Sequence, residues 1–127
     1  MPKRFAKVAI IEDNTMTRVI LQAYLERIGH TVVGGAADGA AGLELVVATA
    51  PDLVLLDVHL PTTNGFQVLA ELKSLPQAMT VIMLSGSDEE AFVRKAGDLG
   101  AASYLTKPFT LESIDEALTA ILGDLES

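Results

Sequence analysis

Five short strand-like runs, at residues 8–11, 31–33, 53–56, 81–84 and 101–105, alternate along this chain with five segments of helical periodicity. That alternation limits the fold more than any other feature. It predicts a mainly parallel sheet, helices on both faces and right-handed crossovers. Leu53-Val54-Leu55-Leu56 is the clearest run. It lacks polar alternation and lies between Pro51 and Pro61, as suits a strand buried on both faces.

The helical segments carry their own punctuation. Asn14 or Thr15 can cap the first, where Val19, Ile20, Ala23, Tyr24 and Ile28 recur at helical spacing and Gly29 stops it. Asp38 caps a second through Ala48, with Leu43, Val46 and Val47 apolar. A third, from about Phe66 to Lys73, uses Val68, Leu69 and Leu72. Ser87 or Asp88 can cap a fourth, running to about Asp98. Thr110 caps the last, through Leu122, with Leu111, Ile114, Leu118 and Ile121 as its core stripe.

Bulk properties exclude several functions. A chain of 127 residues, half of them hydrophobic, has material for one domain and one core system. A net charge of −8 argues against direct nucleic-acid binding, which needs Lys and Arg against phosphate. The absence of cysteine rules out disulfides and thiolate metal sites. The basic opening leads into an apolar run too short for a signal core, and no window suits a membrane span. The expectation is a cytoplasmic protein without membrane insertion. The chain ends soon after its fifth helical segment, so no output domain is expected to follow.

Polar residues of chemical interest gather at the strand C-termini, where open α/β sheets hold their sites. Glu12-Asp13 follows the first strand, Asp57 the third, Ser85 the fourth and Lys107 the fifth. Three carboxylates brought together repel unless a cation joins them. Oxygen donors without Cys or clustered His select Mg²⁺ or Mn²⁺. Lys107 offers a cation to Asp57 or to an oxyanion there, and Lys107-Pro108 is a candidate cis bond. Ser85-Gly86-Ser87 before a helix offers a hydroxyl and backbone N–H groups to an anion. One chemistry uses every part: Asp57 attacks a phosphoryl group, the metal neutralises charge, and Lys107 and Ser85 hold oxygens.

Taken together, Ile10-Ile11-Glu12-Asp13-Asn14, Leu55-Leu56-Asp57-Val58-His59-Leu60-Pro61 with Gly65, Leu84-Ser85-Gly86 and Tyr104-Leu105-Thr106-Lys107-Pro108-Phe109 resemble the CheY-like receiver domain of two-component response regulators. The resemblance covers a core of about residues 7–122 within a single domain, 1–127. It implies a flavodoxin-like (βα)5 three-layer sandwich with strand order 2-1-3-4-5, taken over from the family. It implies that Asp57 accepts phosphate from a histidine kinase or phosphotransfer protein. Asp13 and Asp57 would ligate Mg²⁺ (or Mn²⁺), Glu12 would act through water, and the His59 backbone carbonyl would complete the protein's share. Ser85 would be the switch hydroxyl, Tyr104 the switch aromatic and Lys107 the phosphate-binding lysine. The module would be a switch that catalyses its own phosphorylation and dephosphorylation rather than a turnover enzyme. Its output would be a surface of the fourth helix, fifth strand and fifth helix, read by an unidentified downstream protein.

His59 stands where the family more often has Met or Asn, and with Ser87 it is a candidate modulator of the phosphate's lifetime. Thr62-Thr63-Asn64 also departs from the commoner pattern before Gly65. Gly34, Gly35 and Gly39 lack dinucleotide-loop spacing, and Glu12-Asp13 occupies the place of a flavin phosphate loop. A Mg²⁺-dependent aspartyl phosphatase and a docking module that takes no phosphate are the remaining rivals.

Overall fold

A computed structural model describes residues 5–87 and 89–126, the last three through their backbone only. The elements run β1 (Lys7–Ile11), α1 (Thr15–Ile28), β2 (Thr31–Ala36), α2 (Gly39–Thr49), β3 (Leu53–Asp57), α3 (Gly65–Lys73), β4 (Thr80–Ser85), α4 (Glu90–Asp98), β5 (Ser103–Thr106) and α5 (Leu111–Glu126). The strands form one parallel sheet in the order β2-β1-β3-β4-β5. The expected α/β fold and strand order are both observed.

Side chains on a strand alternate between faces, so an unbroken apolar run feeds two cores at once. Ala9, Ile11, Val54, Leu56, Val81 and Met83 pack with α2, α3 and α4 through Val46, Leu69, Leu72 and Ala96. Val8, Ile10, Leu53, Leu55, Ile82 and Leu84 pack with α1 and α5 through Leu21, Leu25, Ile114, Leu118 and Leu122. The same alternation sets up the site. Continuing β1 and β3 by one step beyond Ile11 and Leu56 puts Glu12 and Asp57 on the α1/α5 side together.

Several helix details differ from expectation. In α1, Leu21 and Leu25 are fully buried, whereas Val19 and Ile20 are 57% and 40% exposed. This helix has apolar residues on more than one face, so spacing alone allows two stripes, and the sheet takes the leucines. In α2, Val46 is buried and its neighbour Val47 faces out. Strand β2 continues through Gly34 and Gly35 to Ala36, because pairing with β1 overrides their weak strand preference.

The helix ends follow side-chain chemistry. Asn14, Asp38 and Asn64 accept from Thr17, Ala41 and Gln67 amides as N-caps. Thr110 and Ser113 exchange two such bonds ahead of α5. Helix α4 starts at Glu90 with no side-chain cap. Ser87 Oγ instead accepts from the Glu89 amide, and the alternative cap, Asp88, lies outside the described residues. No described helix is long and apolar enough to cross a membrane.

Candidate functional site

The C-terminal ends of β1, β3, β4 and β5 open on one mouth. Glu12, Asp13 and Asp57 each bring a carboxylate oxygen there, all within 4.8 Å of one another. Glu12 and Asp57 are buried, at 0% and 2% exposure, and Asp13 is exposed. Lys107 Nζ reaches across from β5, 2.7 Å from Glu12 Oε1 and 3.2 Å from Asp57 Oδ2. Its backbone is set by a bond from the Lys107 amide to the Ser85 carbonyl, 2.7 Å long. The peptide bond after it, Lys107-Pro108, is cis.

Glu12 is held from every side. Its amide donates to the Ala36 carbonyl at 2.9 Å, and its Oε2 accepts from the Asn14 amide at 3.2 Å. Arg18 Nη1 donates to its carbonyl at 2.6 Å. Sequence reading missed Arg18, because a cation in a helix's first turns is ordinary and only the fold brings it back onto β1.

Burial by itself would lower the Lys107 pKa. The close contact with Glu12 and the charges of Asp57 and Glu12 more than offset it, so the net shift is upward from 10.5. Lys107 is therefore a fixed cation between two buried carboxylates.

Asp57 has two further restraints. The His59 amide donates to Asp57 Oδ1 at 3.1 Å. Gly65 starts α3 hard against the end of β3. A Cβ added there would lie 2.1 Å from the Asp57 carbonyl oxygen, so only glycine fits. The Gly65 amide donates to the Val58 carbonyl at 2.6 Å, and an isolated bridge between His59 and Asn64 closes the loop.

Ser85 is fully buried at the end of β4. Its Oγ accepts from the Ser87 amide at 3.1 Å, and no hydrogen bond joins it to Asp57 among the described residues. Tyr104, half-buried on β5, donates its hydroxyl to the Ser87 carbonyl. His59 is exposed, and its ring packs edge-on against Phe92 of α4. Of the expected residues, Glu12, Asp13, Asp57 and Lys107 thus converge directly. Ser85, Ser87 and Tyr104 form an adjoining hydrogen-bonded chain.

The donor set suits a small hard cation. Every side-chain donor in the cluster is a carboxylate oxygen. Glu12 Oε1 takes no hydrogen bond of normal geometry, and its charge is met by the Lys107 ammonium. Mg²⁺ commonly binds through one or two carboxylates and keeps several waters.

Comparison with known proteins agrees with this geometry. The model of the response regulator receiver domain matches residues 8–119. The probable chemotaxis protein CheY of Rhizobium etli is 30% identical over 122 residues, covering 94% of this chain and 95% of that protein. BvgA of Bordetella pertussis, a putative positive transcription regulator of virulence factors, is 31% identical over 94% of this chain. The chain spans only 57% of BvgA's length. Among solved structures, the receiver domain of the putative response regulator NarL from Mycobacterium tuberculosis superposes with a TM-score of 0.86. It is 36% identical, with 94% of this chain and 97% of that one covered. The protein described here belongs to the receiver domain family of two-component response regulators.

Proposed function

We propose that this chain is a phospho-accepting switch in which Asp57 takes a phosphoryl group from a phosphohistidine donor, a histidine kinase or a phosphotransfer protein. The observation that carries this reading is the convergence on Asp57. Its buried carboxylate has two acidic neighbours within 4.8 Å and the Lys107 ammonium at 3.2 Å. An Asp57 oxygen attacks phosphorus, and the bond from phosphorus to the donor breaks with its electron pair leaving on the donor. Lys107 then meets the transferred oxygens with the charge it now offers Asp57.

Asp13, Asp57 and the His59 backbone carbonyl would hold Mg²⁺ (or Mn²⁺), with Glu12 acting through water. Bound there, the ion neutralises charge on the transferring group. Ser85 is the hydroxyl that moves to the new phosphate oxygens, and Tyr104 follows through the shared Ser87 link. Ser87 and His59 tune the lifetime of the adduct. The chain promotes its own phosphorylation and dephosphorylation and is a switch rather than a turnover enzyme.

Residues 1–127 act as one receiver unit with a core of about 7–122, in the cytoplasm. The output face is α4, β5 and α5, where Val93, Ala96, Gly97 and residues 101–104 line a groove of about 170 Å³. A downstream protein reads it.

Incubation with acetyl phosphate and Mg²⁺, followed by intact mass, tests the proposal. The wild type should gain one phosphate and Asp57→Asn none. Steady turnover of an organic phosphate would favour a phosphatase. Neither adduct nor turnover would leave a docking module.

A further inference from the structure

Two residues tied to Asp57 meet on one ring of α4. His59, whose amide donates to Asp57 Oδ1, packs its imidazole edge-on against Phe92, with centroids 6.5 Å apart and planes at 68°. Phe66 packs against the same ring at 5.8 Å and 64°. Phe66 follows Gly65, the residue wedged against the Asp57 backbone. Both separations lie in the range of favourable edge-to-face pairs. From the same helix, Lys95 Nζ sits 5.0 Å over the Phe66 ring. Helix α4 therefore meets the loop at His59 and the start of α3 at Phe66, and Phe92 is common to both.

The His59 imidazole makes no hydrogen bond among the described residues. Its ring contact with Phe92 ties this exposed side chain to α4.

We infer that Phe92 is a positioning residue for the acceptor site. Gripping the His59 ring fixes the loop whose amide orients Asp57, so the stance of α4 and the geometry of Asp57 form one coupled unit. The functional part of this inference rests on the acceptor reading of Asp57. Coupling of this kind is reciprocal. A protein that seats on α4 and shifts Phe92 alters how readily Asp57 is phosphorylated, and the state of Asp57 alters how α4 is presented.

The test combines amide hydrogen exchange at His59 with the initial rate of labelling by acetyl phosphate and Mg²⁺, on the full chain. In Phe92→Ala, His59 exchange should rise about tenfold while core amides of β1 and β3 stay near wild type, as for a local opening. Labelling should slow about fivefold, the order of effect expected of one aromatic contact. Phe92→Tyr, which keeps the ring, should restore both. Phe92→Leu, which keeps bulk alone, should not. Unchanged His59 exchange in Phe92→Ala, or full rescue by Leu, would overturn the inference, and so would equal loss of protection across the core. A wild type that takes no phosphate but shows the predicted exchange pattern would refute the acceptor reading and leave the positioning role standing.

Discussion

Tyr104 donates its hydroxyl to the Ser87 carbonyl, 2.5 Å away, and so ties β5 to the segment joining β4 and α4. Ser87 also donates its amide to Ser85 Oγ, so a hydroxyl at the end of β4 and an aromatic on β5 share one intermediate residue. Tyr104→Phe removes the bond and should lower stability by about 1 kcal/mol in urea unfolding. Amide exchange between Ser85 and Glu90 should also rise. Ser87→Ala should leave the Tyr104 bond intact, because the acceptor is backbone. Ser87→Ala also loses the Oγ bond from the Glu89 amide, so the deciding variant is Tyr104→Phe: stability and exchange equal to wild type there would contradict this account.

Lys107 sits between Glu12 and Asp57, and its removal leaves two buried carboxylates with no counter-cation among the described residues. Breaking a fully buried pair from one side costs about 3–5 kcal/mol. Lys107 keeps 29% side-chain exposure, so Lys107→Met should cost less, about 2 kcal/mol at pH 7. The sign with pH follows from its raised pKa. The contribution is complete below the unfolded value near 10.5 and is lost as pH climbs through the higher folded value. The gap between wild type and Lys107→Met should therefore hold from pH 7 to 10 and narrow above 10.5. A gap that widened at alkaline pH would refute the ion-pair assignment.

The three carboxylates should make the metal-free protein less stable than it need be. Asp13 is the exposed member, so Asp13→Asn should raise stability without metal by about 1 kcal/mol, the scale of a screened like-charge contact. Added Mg²⁺ at ten times its dissociation constant should stabilise wild type by about 1.4 kcal/mol. The same addition should do little for Asp13→Asn. Equal Mg²⁺ responses in thermal melts would remove Asp13 from the metal site.

Thr62 adopts a φ of 65° in the loop between β3 and α3, a conformation poorly suited to a β-branched residue. Asn tolerates that region far better, so Thr62→Asn should stabilise by about 1 kcal/mol in chemical denaturation. No change or a loss would mean that the threonine's contacts outweigh its backbone strain.

The sheet and most of the site could be read from the sequence because both follow from strand ends. Asp57 and Lys107 stand 50 residues apart in sequence, yet both terminate strands of one parallel sheet, and topology brings such ends to a common mouth. What could not be read needs tertiary information. Whether Val19 or Leu21 faces the core depends on how α1 rotates against the sheet. Arg18 matters through its reach to a carbonyl six residues back. Phe92 and Phe66 look like ordinary apolar positions until α3 and α4 are set beside His59. The left-handed backbone at Thr62 contradicts local preference, so no local signal could announce it.

The central claim concerns one carboxylate, and reductive trapping addresses it most directly. An acyl phosphate is reduced by borohydride to the alcohol, so a phosphorylated aspartate is recovered as homoserine. After acetyl phosphate and Mg²⁺ treatment, peptide mapping should find homoserine at position 57 and nowhere else. Homoserine at position 13, or the reduced glutamate alcohol at position 12, with Asp57 unmodified would contradict the account. So would a wild type that yields no reduced residue at all.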